Sequence, residues 1–175
     1  MHSMPVDQGE FEVLYRTHYA RLLRLCCLWL DDPHEAEDVV QDVLIKLLKV
    51  SQGPYRPTAW EPWLTRVTRN ACHDRRRSGW WKWWRTAPAA PVEVIERPPV
   101  YLTLEDEALK REWQVHLWQA FQALPTRQRE VFALRYVEGW STAAVAEALG
   151  LTVGSVKRHL FRAVHRLQQT LGGEV

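Results

Sequence analysis

The sequence lacks the features that mark disulfide-rich, metal-binding and membrane-spanning proteins. It has only three cysteines, with no C-x-x-C spacing, and the adjacent Cys26 and Cys27 are poor partners for each other. We interpret these two and Cys72 as ordinary helix residues in a reducing cytosol, not as metal ligands. No apolar run reaches the roughly 18 residues of a membrane span, and residues 1–10 are too polar and acidic for a secretory signal. We therefore expect no cofactor, no metal and no direct insertion into a membrane.

Acidic residues are also absent from residues 152–171, which belong to the most informative segment of the chain. Residues 141–171 predict a short helix, a tight turn and a longer helix, with Ser141 and Thr152 as caps and Gly150 in the turn. On the longer helix the apolar positions recur every three or four residues, at Val156, Leu160, Val164, Leu167 and Leu171. The opposite face is polar or basic, with Ser155, Lys157, Arg158, His159, Arg162, His165 and Arg166. This pattern is typical of a helix-turn-helix whose second helix lies in a DNA major groove. The alternative is a helical hairpin with a solvated basic face.

The net charge is only +2, so an interaction with nucleic acid depends on how the charges are distributed. A second basic surface is predicted on a helix over residues 61–77, where Trp63, Leu64, Val67 and Ala71 are expected to point inwards. The outward positions are three and four residues apart, at Arg66, Arg69, Asn70, His73, Arg76 and Arg77. Aromatic residues flank this helix: Tyr55 and Trp60 before it, and Trp80, Trp81, Trp83 and Trp84 after it. Arginines can bind phosphates, and flat rings can stack on bases that have left the duplex. Alternatively, Trp60 and Trp63 belong to the core, and WWKWW anchors the chain to a membrane surface or a partner.

Two helices are predicted before this segment, over residues 10–30 and 33–50. The apolar stripe of the first contains Phe11, Leu14, Tyr15, His18, Tyr19, Leu22, Leu25, Cys26 and Trp29. His18 is therefore expected to be semi-buried rather than a ligand. The inward residues of the second are Ala36, Val39, Val40, Val43, Leu44, Leu47 and Leu48, and the outward ones are Asp38, Gln41, Asp42, Ile45 and Lys49. Residues 31–42 hold six carboxylates and no Lys or Arg, which a solvated face explains. The aliphatic Ile45 among polar outward positions favours a protein-docking surface instead.

Residues 86–104 contain four prolines and no helical period, which predicts an extended linker. A helix over residues 105–124 should follow, with Leu109, Trp113, Leu117 and Phe121 on it. Pro125 is expected to end that helix, and Thr126 to cap the next one, which runs to Tyr136 and closes at Gly139. Its inward residues are Val131, Phe132 and Leu134. The predicted fold class is all-α, with two small helical domains joined by the extended proline-rich linker.

These motifs, in this order and spacing, resemble those of the extracytoplasmic-function (ECF, group 4) sigma factors of bacterial RNA polymerase. The similar stretches are AEDVVQDVL at residues 36–44 and WLTRVTRNACHDRRR at 63–77 in region 2, and LPTRQREVFALRYVEGWS at 124–141 and LGLTVGSVKRHLFRA at 149–163 in region 4. The resemblance implies a region 2 bundle of three or four helices over residues 8–85, a linker over 86–104 and a region 4 helix-turn-helix domain over 105–175. The chain departs from the family at Ala144, usually glutamate, and at Arg158 and His159, where many members carry serine and arginine. The second departure should alter which promoter bases are read.

The resemblance also implies an alternative sigma factor, which binds core RNA polymerase and directs it to promoters. Docking on the clamp helices of the largest polymerase subunit is implied for Asp38, Gln41, Asp42 and Ile45. Recognition of the −10 element is implied for Tyr55, Trp60, Arg66, Arg69, Asn70, His73, Arg76 and Arg77. Recognition of the −35 element is implied for Ser155, Lys157, Arg158, His159, Phe161 and Arg162. Further expected partners are the flap of the second-largest subunit and an anti-sigma factor, often membrane-bound. The expected location is the cytoplasm, with the active protein at the nucleoid.

Two other function classes stay open from the residues themselves. A conventional repressor or activator would use only the C-terminal helix-turn-helix, with the N-terminal half as a sensing or dimerising module. It would form a stable dimer that binds specific DNA without polymerase. A nucleic-acid enzyme is disfavoured, because no H-x-E, H-E-x-x-H or paired metal-ligand motif occurs. We expect no catalytic residue and no small-molecule substrate.

Overall fold

The computed structural model describes residues 8–77 and 104–172, and the side chains of 9–77 and 111–172. The chain forms two compact units. Regular structure in the described residues is entirely helical, with seven α-helices and one π-helical turn, so the predicted all-α class is confirmed. None of these helices is long and apolar enough to cross a membrane. The predicted linker, up to residue 103, and the tryptophan cluster of residues 80–84 lie outside the described residues.

The first unit contains three helices that pack against one another: α1 (Gln8–Trp29), α2 (Pro33–Ser51) and α3 (Trp60–Arg77). Its core is mostly aliphatic, with Leu22, Leu25, Leu47 and Leu64 fully buried. Burying each such side chain contributes about 1.5–3 kcal/mol, so this shared core stabilises the bundle. Asp32 caps α2 by accepting a bond from the His34 backbone N–H (2.8 Å).

The predicted stripes of α1 and α2 are largely confirmed. The inward residues of α2 are buried except Leu48, which is half-buried, and its five predicted outward residues are exposed. On α1 the stripe is buried at six positions, but Phe11 and Tyr19 are half-buried and Tyr15 is exposed. His18 is buried, and its burial lowers the pKa of the imidazole. The charge of Arg21 lowers this pKa further, whereas the charge of Glu61 raises it.

The inward face of α3 differs from the predicted one. Of the four residues expected to point inwards, only Leu64 is buried, whereas Trp63, Val67 and Ala71 are half-buried. The other buried positions are Thr65, Thr68 and Cys72. Thr65 satisfies its hydroxyl there by donating to the Glu61 carbonyl (2.8 Å) and accepting from Arg21 Nη2 (2.7 Å). Because threonine is usually exposed, the sequence pattern assigned the stripe to its apolar neighbours.

Four further helices form the C-terminal part: α4 (Leu104–Gln122), α5 (Thr126–Phe132), α6 (Thr142–Leu149) and α7 (Val153–Gly172). Both α4 and α5 pack against α7. Of the apolar residues predicted to lie on α4, Phe121 is buried, Leu117 is half-buried and Trp113 is 57% exposed.

The predicted cap of the helix after Pro125 is wrong, whereas its predicted end is close to the observed one: helical structure continues to Val137, and Gly139 follows with a φ of +72°. Pro125 itself occupies the N-cap position of α5, where no side-chain hydrogen bond caps the helix, so Thr126 is not the cap. The Pro125 carbonyl accepts instead from the backbone N–H groups of Gln128 (2.8 Å) and Arg129 (3.0 Å). After Phe132 the chain changes to the π-helical turn Ala133–Val137, with Val131 and Leu134 buried as predicted and Phe132 half-buried.

Candidate nucleic-acid and protein interfaces

The turn between α6 and α7 has the chemistry that the sequence predicts. Ser141 Oγ accepts from the Ala144 N–H (3.1 Å) and Thr152 Oγ1 accepts from the Ser155 N–H (3.1 Å), so each helix has a hydroxyl cap. Gly150 has a φ of +63°, the left-handed conformation that glycine adopts most readily. The next residue, Leu151, donates to the Ala146 carbonyl (2.8 Å) and closes the turn. These bonds fix where α7 begins relative to α6.

The helix α7 is divided into an apolar inner side and a basic outer side. Its buried residues are Val156, Leu160, Ala163 and Leu167. Of the residues predicted to recognise the −35 element, Lys157, Arg158, Phe161 and Arg162 are exposed, and Ser155 and His159 are half-buried. The outer side therefore offers charged side chains and one aromatic ring to a ligand.

The exposed ring of Phe161 stacks on the next turn of the helix. Phe161 is 72% exposed, and its ring is nearly parallel to that of His165, with 6.1 Å between centroids and 4° between planes. His165 Nε2 lies 3.1 Å from Gln169 Nε2. The stack restrains Phe161, so an apolar surface is presented beside the basic residues.

His159 lies on the edge of the outer side, towards α5. Its Nδ1 is buried and makes no hydrogen bond to the described residues. Burial lowers the pKa of His159, and the positive charges of Arg127, Arg162 and Arg158 lower it further, whereas Glu130 raises it. Arg127 and Glu130, both on α5, form an ion pair of 2.8 Å. His159 thus faces a charged pair of its own domain, which the sequence pattern did not indicate.

The second basic surface lies on α3 and the loop before it. Arg66, Asn70 and Arg77 are exposed, and Arg69, His73 and Arg76 are half-buried, so the spacing correctly placed these six outside the core. Trp60 and Trp63 are half-buried, and their rings pack edge to face with 5.7 Å between centroids. The alternative that these two residues belong to the core is therefore correct only in part. Tyr55 is 88% exposed. The basic residues of α3 and the aromatic residues before it are thus both accessible.

The outward face of α2 is accessible as predicted. Asp38, Gln41, Asp42 and Ile45 are all exposed, Ile45 to 51%. Asp42 and Ile45 line a shallow groove against α3, together with Ala71, Asp74 and Arg75. This face of α2 therefore offers polar and charged side chains and one aliphatic side chain to a ligand.

The three cysteines are free thiols without a ligand-binding arrangement. The thiols of Cys26 and Cys72 share a hydrogen bond, with 3.8 Å between the two buried sulfur atoms. That bond and burial raise the pKa of the Cys26 thiol, and burial raises that of Cys27. In the part of the chain that the structure describes, no group of three His, Cys, Asp or Glu residues could hold a metal ion.

Comparisons with known proteins assign the chain to a family. Residues 14–82 match the family model for Sigma-70 region 2, and residues 115–167 match that for Sigma-70, region 4. The ECF RNA polymerase sigma factor SigM of Mycobacterium tuberculosis is 32% identical over 167 residues, which are 95% of this chain and 79% of SigM. The RNA polymerase sigma-E factor of Streptomyces antibioticus is 32% identical over 162 residues, which are 93% of this chain and 84% of that protein.

Solved structures support the same fold. The sigma factor RpoE of Bartonella quintana, solved with the anti-sigma factor NepR, matches with a TM-score of 0.69 at 22% identity, over 95% of this chain and 99% of RpoE. CnrH, solved with the cytosolic domain of CnrY, matches with a TM-score of 0.66 at 22% identity, over 97% of this chain and 92% of CnrH. The sequence relatives and the two family models together are decisive. The chain belongs to the extracytoplasmic-function family of RNA polymerase sigma factors.

Proposed function

We propose that this sigma factor uses three separate surfaces. The helix α2 docks on core polymerase, α3 and the preceding loop bind the −10 element, and α7 recognises the −35 element. Family membership makes the protein a polymerase-associated sigma factor rather than a conventional repressor or activator. The observation that carries the residue assignment is the exposed basic side of α7, directly after a capped helix-turn-helix.

On α7, the residues proposed to contact the −35 element are Ser155, Lys157, Arg158, His159, Phe161 and Arg162. A bidentate bond from an arginine to guanine O6 and N7 contributes about 1–3 kcal/mol of discrimination against other bases. A phenylalanine can contact a thymine methyl group, and Phe161 is exposed enough to do so. His159 has less access than the four exposed residues of this set, because it is half-buried and its Nδ1 is buried.

The −10 element is the proposed ligand of the second basic surface. The residues are Tyr55, Trp60, Arg66, Arg69, Asn70, His73, Arg76 and Arg77. Extruding a base from a duplex costs on the order of a few kcal/mol. Stacking on an aromatic ring offsets about 1–3 kcal/mol of this for each base, and arginines hold the adjacent phosphates. Exposed Tyr55 is the best placed ring for such stacking.

Polymerase connects the two DNA-binding surfaces. We assign docking on the clamp helices of its largest subunit to Asp38, Gln41, Asp42 and Ile45, and a second contact to the flap of the second-largest subunit. With both halves held on one enzyme, binding of one promoter element raises the effective concentration of the other. Neither half therefore needs to bind DNA tightly alone.

We also propose an anti-sigma factor as a regulatory partner, because RpoE and CnrH are each described in complexes, RpoE with an anti-sigma factor and CnrH with the cytosolic domain of CnrY. The protein would act in the cytoplasm, at the nucleoid when active, and be held at the inner membrane when its anti-sigma factor is membrane-bound.

Transcription in vitro tests the proposal. Core bacterial polymerase is assayed with and without the purified protein on a promoter library in which the −35 and −10 regions are randomised separately. We expect defined start sites that appear only with the protein, and enrichment of one sequence in each region. Start sites with enrichment in a single region would contradict the division between α3 and α7. Specific DNA binding without any new transcript would contradict the proposal as a whole.

A further inference from the structure

The loop between α2 and α3 is tied to two helices by one side chain. Arg56 Nη2 donates to the Ser51 carbonyl at the end of α2, at 2.9 Å. Its Nη1 is ion-paired with Oε2 of Glu10 on α1. The guanidinium therefore uses two of its nitrogen atoms on two different elements, which the planar fork of arginine permits and lysine does not.

The rest of the loop restricts its own backbone. Pro54 and Pro57 fix φ on both sides of Arg56. The Gly53 N–H donates to the Val50 carbonyl (3.1 Å), which continues the end of α2 into the loop. Tyr55, in contrast, is 88% exposed and has almost no packing to hold it. The position of Tyr55 thus depends on the backbone, and the backbone depends on the contacts of Arg56.

We propose that Arg56 is a positioning residue for −10 recognition. It holds the loop before α3 so that Tyr55 is already in position when the DNA base arrives. Arg56 itself does not bind DNA in this role, because Glu10 compensates its charge. The inference rests on the proposed assignment of the loop to the −10 element. A site that is ordered before binding loses less conformational entropy when the base enters, so affinity gains. A loop held in one position also cannot repack around a different base, so selectivity gains as well.

The holoenzyme provides the test. Wild-type protein and four variants, Arg56→Ala, Arg56→Lys, Glu10→Gln and Tyr55→Ala, are assembled with core polymerase. Each binds fork-junction promoter DNA in which the captured −10 base is either the preferred one or a substitute. The ratio of the two affinities is the readout. Binding of a duplex with only the −35 element, binding of core polymerase and the thermal midpoint are measured in parallel. Arg16→Ala is the matched control, because the exposed ion pair of Arg16 is formed with Glu12 of the same helix.

We expect Arg56→Ala to lower the selectivity ratio about fivefold, in line with the ordering of one loop. Arg56→Lys should lose nearly as much, since a single ammonium nitrogen lacks the planar fork that makes the two contacts, and Glu10→Gln should lose less. Arg16→Ala should leave the ratio unchanged. The −35 affinity, polymerase affinity and thermal midpoint should stay as in the wild type.

Three results would overturn the inference. The selectivity ratio could be unchanged in Arg56→Ala and Arg56→Lys but reduced in Tyr55→Ala. The loop would then recognise the −10 base without needing Arg56 to position it. Equal weakening of both fork DNAs by Arg56→Ala, together with a smaller salt dependence, would make Arg56 a phosphate ligand. An unchanged ratio for Tyr55→Ala would remove the loop from −10 recognition and the inference with it. If Arg56→Ala does not fold, Arg56→Lys decides alone, and full selectivity in that variant contradicts the inference.

Discussion

Arg75 near the end of α3 is ion-paired with Glu35 in the first turn of α2, with 2.9 Å between Nε and Oε2. The same guanidinium lies 3.5 Å from Asp38, one turn further along α2. The side chains of Arg75 and Glu35 are only 30% and 15% exposed, so water screens the pair less than it screens a surface pair. One arginine thus joins the helix proposed to bind DNA to the helix proposed to bind polymerase.

Arg75→Ala should therefore destabilise the first unit. Removing a charged partner from a partly buried carboxylate costs about 1–2 kcal/mol of the free energy of unfolding. Arg16→Ala, which breaks the exposed pair with Glu12, should cost no more than about 0.5 kcal/mol. Urea denaturation of both variants measures the difference, and adding Glu35→Gln to Arg75→Ala should recover part of the loss. Equal midpoints for the two single variants would contradict this.

The turn of the helix-turn-helix gives a second prediction. Gly150 has a φ of +63°, so an alanine there is strained although nothing lies within 4 Å of its Cβ. We expect Gly150→Ala to cost about 1 kcal/mol of stability. Gly154 lies in the first turn of α7, where a Cβ would meet only Thr152 Oγ1 at 4.0 Å. Gly154→Ala should be neutral or stabilise by up to about 1 kcal/mol. Thermal unfolding separates the two variants, and a loss at Gly154 as large as that at Gly150 would be inconsistent with this turn geometry.

The reading of the −35 element predicts a loss of specificity in Arg162→Ala. We expect this variant to abolish −35-dependent transcription, since one arginine–guanine contact accounts for about 1–3 kcal/mol, and to bind core polymerase normally. Arg166, also exposed but one turn later, is the matched control, because the first residues of a recognition helix reach the base edges. Arg166→Ala should weaken binding equally on all promoters. Transcription on promoters with and without the element is the measurement, and equal loss on both in Arg162→Ala would remove Arg162 from base recognition.

The face of α2 predicts a separate defect. Asp38→Arg combined with Gln41→Ala should weaken association with core polymerase at least about tenfold, because it places a positive charge in the middle of the proposed docking surface. Glu12→Arg makes the same change of charge at an exposed position of α1 and should have little effect. Competition with another sigma factor for core polymerase measures the affinities. Unchanged co-purification of the double variant with polymerase would contradict the docking surface.

The features of the fold and of the candidate sites that depend on local sequence rules could be predicted from the sequence. The core of α2 follows a strict apolar period, and its inward and outward faces agree with the prediction. The caps Ser141 and Thr152 and the left-handed Gly150 were also predictable, because each rests on a local rule. The separation of apolar and basic residues on α7 predicted the helix-turn-helix, and the order of the motifs along the chain indicated the family.

The errors occurred where a side chain has a partner distant in sequence. Thr65 is buried because Arg21, 44 residues earlier, bonds its hydroxyl, and no local pattern contains that contact. Arg75 continues the buried spacing of Thr68 and Cys72, on the side of α3 that pairs with α2. That spacing could have identified it, had the threonines been assigned inward. The π-helical turn after Phe132 was not predicted, because such turns are rare and the sequence there continues an ordinary helical pattern.

His159 gives the last prediction, on pH. Its folded-state pKa is lowered from 6.5, chiefly by burial and further by Arg127, Arg162 and Arg158, against the opposing charge of Glu130. The unfolded chain therefore binds a proton at His159 more readily than the folded chain. The stability that the neutral ring contributes is present above pH 6.5 and is lost as the pH falls through the folded-state value. His18 contributes a loss of the same sign from the first unit.

Comparing His159→Gln with the wild type isolates the contribution of this ring, because the loss from His18 is common to both proteins. We expect the wild type to lose more unfolding free energy than His159→Gln between pH 7 and pH 5, measured by urea denaturation at each pH. Protonation would also place a positive charge among the three arginines, so the beginning of α7 should loosen first, and hydrogen exchange there should accelerate on acidification in the wild type but less in His159→Gln. Parallel profiles of unfolding free energy against pH for the two proteins would contradict this prediction. They would show that His159 is equally protonated in the folded and unfolded states, although its Nδ1 is buried and guanidinium groups surround the ring.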